Sequence, residues 1–135
     1  MIGTTGLRLF LLAAAAATPA PAEGPIVTPS GQSVTWIDTL HDTQGPEGLT
    51  VRFRFLAPAI ARSGGTVDAE TAQADMQWLC DTFALPRLAS TGPQPAQIVI
   101  SLSDRPVEFG QPDPEATQYF EAYTPENGAC VWEMF

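Results

Sequence analysis

The chain contains no lysine; every one of its six basic residues is arginine, set against 15 acidic residues for a formal charge of −9. A surface this acidic repels nucleic acid and anionic lipid, which disfavours both as partners. Histidine occurs once, as His41, and asparagine once, as Asn127. A GC-rich genome accounts for arginine in place of lysine, for the abundant alanine and proline, and for the scarce asparagine. No glycine-rich phosphate loop followed by lysine occurs, nor a GxSxG nucleophile elbow. Only two cysteines are present, Cys80 and Cys130, with no CxxC pair and no further ligands at zinc-like spacing. These absences exclude most familiar catalytic and metal chemistries. The sequence alone therefore assigns no catalytic residue, no metal and no cofactor.

The first 22 residues carry an address. Arg8 leads into Leu9-Phe10-Leu11-Leu12 and the alanines 13–17, Thr18-Pro19 interrupts, and Ala20-Pro21-Ala22 supplies the small residues of a cleavage site. The apolar run is about half the ~20 residues that span a bilayer, so it directs export without anchoring. Residues 1–22 are expected to be a signal peptide cleaved after Ala22, placing the mature chain in the periplasm with no stable membrane anchor. No cysteine stands near the cleavage site to accept a lipid. In an oxidising compartment, Cys80 and Cys130 are expected to form a disulfide.

Residues 23–32, rich in proline, glycine and serine, are expected to be a flexible arm, followed by one domain over 33–135. Val34, Trp36 and Ile37 suggest a strand ending at Leu40, and His41–Gly48 reads as a turn-rich loop. Leu49, Val51, Phe53 and Phe55 alternate with Thr50, Arg52 and Arg54, a strand with one face buried. Asp68 is placed to cap a helix whose Ala72, Met76, Leu79, Cys80 and Phe83 share one face, with Pro86 ending it. Gln97–Leu102 reads as a central strand, Val107–Phe109 as a short continuation, and Tyr119–Thr124 with Ala129–Phe135 as a hairpin about Asn127-Gly128. The expected fold is α+β: an antiparallel sheet of about five strands covered by one main helix, in the order β-β-α-β-(β)-β-β.

Several constellations are candidates for chemistry. Asp38, His41 and Asp42 are close enough in sequence for a metal or an oriented base, although no second histidine completes a site. Carboxylate pairs such as Asp104 with Glu108, or Glu121 with Glu133, admit a small carboxylate-dependent hydrolase, with a solvated acidic surface as the plainer reading. Arg52 and Arg54 share a polar strand face and form either an anion clamp or cross-strand ion pairs. Trp36, Trp78, Tyr119, Tyr123 and Trp132 are core or groove aromatics. Trp78 lies off the apolar stripe and is marked for an interface. The favoured reading is a non-enzymatic module binding a periplasmic protein or small anionic ligand through Arg52, Arg54 or Trp78.

Four segments, VRFRFLAPAIAR (51–62), PAQIVISLSDRPVEFG (95–110), DPEATQYFEAY (113–123) and CVWEMF (130–135), resemble an uncharacterised family of small exported proteins from Rhodobacter- and Roseobacter-type bacteria. The resemblance implies a shared fold and export, and it transfers no catalytic or binding residue. Some members carry the label acetolactate synthase. That chemistry needs a thiamine-diphosphate site in a much longer chain, and nothing here builds one.

Overall fold

A computed structural model describes residues 23–45 and 48–134; residues 1–22, expected as a signal peptide, lie outside the described residues. Among the described residues the domain has six strands and one α-helix: β1 (Ile26–Val27), β2 (Ser33–Gly45), β3 (Gly48–Leu56), α1 (Ala69–Leu79), β4 (Gln97–Ser103), β5 (Gln118–Glu126) and β6 (Ala129–Trp132). The strands lie in sequence order in one sheet, curled into a half-barrel around the helix. All neighbours run antiparallel except β3 and β4, which are parallel, with Val51 beside Ile98 and Phe53 beside Ile100.

The α+β class holds, but the sheet is mixed and has six strands rather than about five antiparallel ones. The reason is the connection. The chain leaves β3, passes through α1 and re-enters beside β3, and a helical crossover returns it to the same end of the sheet. The bracketed strand at Val107–Phe109 does not form; that segment is a loop with a turn at Phe109-Gly110. At the other end, β2 continues to Gly45 through the segment expected to be loop. Bulges between Trp36 and Asp38 and between Leu40 and Thr43 keep this polar run in register.

Alternation on β3 decides which face is core. Phe53 and Phe55 are buried, together with Ile98, Ile100 and Leu102 of β4, against Met76, Leu79 and Phe83. Each such side chain contributes roughly 1.5–3 kcal/mol. The Phe83 ring meets Trp36 and Phe55 edge-on at centroid distances of 4.9 and 5.4 Å. The helix begins as expected, with the Thr71 amide donating to the Asp68 carboxylate at 2.9 Å. It then loosens into a wider turn, Cys80–Ala84, before Pro86. The Cys80–Cys130 disulfide pins that turn to β6 with Cα atoms 6.1 Å apart. Asn127 (φ 50°) and Gly128 (φ 79°) make the tight β5–β6 hairpin, both left-handed as such a turn requires.

The lead-in, expected as a flexible arm, is paired and hydrogen-bonded in the structure. Ile26 and Val27 pair with Val34 and Ser33, and Asp75 of α1 grips the segment that follows. Its carboxylate accepts from Thr28 Oγ1 (2.8 Å), Ser30 Oγ (2.5 Å), the Ser30 amide (3.1 Å) and Gln32 Nε2 (2.8 Å). Burial pushes this carboxyl's pKa up, but the bonds from Gln32, Ser30 and Thr28 outweigh it and hold the group below its ordinary value. Glu23 is tied by both oxygens to Arg87 at 2.7 Å. Arg87 in turn lies over the Phe83 ring at 3.5 Å.

Candidate functional site

Because Phe53 and Phe55 point to the helix, Arg52 and Arg54 project from the opposite face of the sheet. Register sets their company. Arg54 lies between Asp38 of β2 and Ser101 of β4, and Phe120 of β5 stands beyond Ser101. Arg52 lies between Leu40 and Val99. The loop after β4 folds over this face and is fastened at its base. The Asp104 carboxylate accepts from the Thr117 amide at 2.8 Å and from Arg105 at 3.1 Å. The hydrogen bond from Arg105 leads in holding the Asp104 carboxyl below its ordinary range, followed by the bond from Thr117. Ser103 Oγ donates to the Arg105 carbonyl at 2.6 Å, and the Gln111 amide closes a turn on the Glu108 carbonyl at 3.1 Å.

The folded loop brings Val107 and Phe109 to the two arginines, and here their fates diverge. Arg54 is consumed. It pairs with Asp38 at 3.2 Å, and its other terminal nitrogen donates to the Val107 carbonyl. Arg52 has no hydrogen-bond or ion-pair partner among the described residues. Its guanidinium carbon lies 5.2 Å from the Phe109 ring centre and 5.7 Å from that of Phe120. Burial, and secondarily the charge of Arg54, press its pKa below the ordinary arginine value. Arg52, Ser101, Glu108, Phe109, Gln118 and Phe120 line a cleft of about 190 Å³, with Arg54 at its side.

A half-buried guanidinium between two aromatic rings, with its donors unspent, suits a planar carboxylate or a phosphate taken through two hydrogen bonds. Ser101 and Gln118 add neutral donors at the wall. Glu108 lines the same cleft. The two rings leave room for an apolar body beside that group; Phe120 is 59% exposed and Phe109 51%.

The other sequence candidates fall elsewhere. Trp78 sits on α1, on the far side of the sheet, half-buried and packed against the core, so it does not join Arg52 and Arg54. His41 is exposed and lines a separate cleft of about 250 Å³ with Leu49, Leu88 and Pro93. Among the described residues no group of three or more His, Cys, Asp or Glu side chains is placed to hold a metal. Glu121 accepts from the Trp132 indole at 2.6 Å on the helix side of the sheet. Glu133 accepts from Gln97 at 3.0 Å, and from Thr124, on the opposite face. That pair cannot flank one bond. The carboxyls with displaced proton affinity, Asp68, Asp75 and Asp104, are all displaced downward, away from what a general acid needs.

Phe109 and Phe120 were not legible as site residues. Phe109 lies in irregular chain, where no period assigns a direction. On β5 aromatics occupy both faces, Tyr119 and Tyr123 on one and Phe120 on the other, so alternation does not mark the odd one out.

No curated protein and no solved structure matches this chain. The profile of one family covers residues 9–135, from within the N-terminal apolar run to the last residue, and so takes in every element just described. The chain belongs to that family, a family of unknown function designated DUF6497.

Proposed function

We propose that this protein is an exported, non-enzymatic binding module that takes an anionic group of a periplasmic protein or small ligand at Arg52. The observation that carries this reading is the contrast within one strand face: Arg54 is neutralised by Asp38, whereas Arg52 has no partner among the described residues. A half-buried cation is costly to leave unpaired, and a cleft built around it gives an anion a reason to bind. The signal-like segment 1–22, cleaved after Ala22, supports delivery to the periplasm. No helix among the described residues is long and apolar enough to cross a membrane. The net charge of −9 argues against nucleic acid and anionic lipid as the partner. Binding is favoured over carboxylate-dependent hydrolysis because the candidate acids either face apart or are held ionised.

The test is crosslinked capture from the native periplasm with mature protein beginning at Glu23, compared with its Arg52→Gln and Trp78→Ala variants. Loss of the captured species with Arg52→Gln and its retention with Trp78→Ala is the expected result. An unchanged profile for Arg52→Gln overturns the reading.

A further inference from the structure

A second groove runs on the other side of the sheet, where α1 covers the core but stops short of the β5–β6 hairpin. Glu70, Gln73 and Gln77 of α1 line one wall, and Tyr123 and Trp132 line the other, around about 280 Å³. Tyr123 is wholly buried, and its hydroxyl has no hydrogen-bond partner among the described residues. A buried hydroxyl without a partner is costly and rare, and here it belongs to a residue that lines an open groove. The groove is also held ready. The Trp132 indole N–H is fixed on Glu121 at 2.6 Å, leaving the ring 42% exposed. Gln77 Nε2 donates to the Cys130 carbonyl at 2.9 Å and to Asp81 at 3.2 Å, which leaves its own carbonyl oxygen as an acceptor.

We propose that this groove is a binding site for a primary ammonium group on an alkyl chain, carried by a free amine or by a lysine side chain of another protein. The Gln77 carbonyl accepts an N–H bond, Glu70 supplies charge at the mouth, the alkyl stem lies along Trp132, and a shift of the groove wall on binding uncovers the buried hydroxyl oxygen of Tyr123 as a second acceptor. The sign of the field decides between ligand classes. Glu121 and Asp81 place negative potential at the Tyr123 oxygen, second only to burial in raising its pKa, so the phenol stays neutral and an anion is excluded. A quaternary ammonium offers no N–H to the unspent oxygens, whereas a primary ammonium offers three. The chain has no lysine of its own, so another copy cannot fill the groove with that side chain. This site is on the opposite face of the sheet from Arg52 and stands or falls independently of the anion cleft.

The test titrates mature protein with n-pentylamine, with Nα-acetyl-lysine-N-methylamide and with 1-pentanol as the neutral control, following the Trp132 indole N–H by NMR. The expected result is a saturable shift with the amine and none with pentanol. A shift with both amines identifies displayed lysine as a ligand, and a shift with pentylamine alone identifies free amines. Tyr123→Phe should weaken amine binding about fivefold while leaving thermal stability equal or higher, because it removes a buried group without a partner. Glu70→Gln should weaken it about threefold at low salt, and it provides a second test in an exposed position. Equal binding of pentanol, no saturable shift with either amine, or undiminished amine binding by both variants overturns the proposal.

Discussion

The two faces of this sheet are made by the same strands and do different work. On the helix side, Phe53 and Phe55 of β3 enter a continuous core closed by Phe83 and pinned by the Cys80–Cys130 disulfide. One residue along in each case, Arg52 and Arg54 enter an opposite face over which the 104–111 loop folds. That face even carries a chain of hydrogen bonds from Thr50 to Gln97 (3.1 Å) and from Gln97 to Glu133 (3.0 Å), which an apolar layer would not allow. The lesson is a division of labour. Stability resides on the covered face, and the open face is left to present charge beside exposed aromatic rings.

Substitutions should separate the faces by size of effect. Phe53→Ala should be the most damaging, at roughly 3–5 kcal/mol in urea unfolding, because it leaves a cavity among Trp36, Phe83 and the central strands. Removing the disulfide by Cys80→Ala with Cys130→Ala should cost up to about 4 kcal/mol, since it frees a 50-residue separation in the unfolded chain. A loss much under 1 kcal/mol for either would show that the covered face does not dominate stability.

Asp75→Asn should follow at about 2 kcal/mol, as four donors lose an ionised acceptor. Its pH dependence has a definite sign. The folded carboxyl has a lowered pKa, so its contribution is present above the ordinary carboxyl value of about 4 and is lost as pH falls through the lower folded value. The wild-type advantage over Asp75→Asn should therefore be full at pH 7 and shrink at pH 2–3. An advantage that grew on acidification would contradict the grip assigned to Asp75.

The arginines give the smallest stability effects and the sharpest contrast. Arg54→Gln should cost about 1 kcal/mol through loss of the Asp38 pair and the Val107 tether. Arg52→Gln should change stability by no more than about 0.5 kcal/mol, since it breaks no hydrogen bond among the described residues. Equal losses would erase the distinction between a structural and a ligand-facing arginine.

How much of this was legible in the sequence follows from which signals are local. The β3 alternation, the Asp68 cap, the central strand at Gln97–Leu102 and the Asn127-Gly128 hairpin each rest on a few neighbouring residues, the Cys80–Cys130 pair follows from there being two cysteines, and each is present in the structure. The parallel β3–β4 pairing depends on where distant segments meet, and so does the grip of Asp75 on the turn that follows β1. No period within Ile26–Val27 announces that Asp75 will hold the chain against α1. For the same reason, Arg52 and Arg54 were identifiable as a pair on one face, while the distinction between them was not. It is decided by Asp38 across the strand and by a loop some 50 residues further along, fastened through Asp104 and Thr117.

That distinction is the central claim, and side-chain NMR reads it directly. Mature protein labelled with 15N should be titrated with benzoate and with phenyl phosphate while the Nε–H signals of Arg52 and Arg54 are followed. The account predicts a saturable shift of the Arg52 signal, a much smaller change at Arg54, and loss of saturation in Arg52→Gln as monitored by the neighbouring Ser101 and Phe120 amides. Equal, non-saturating drifts of both arginine signals with added salt would contradict it.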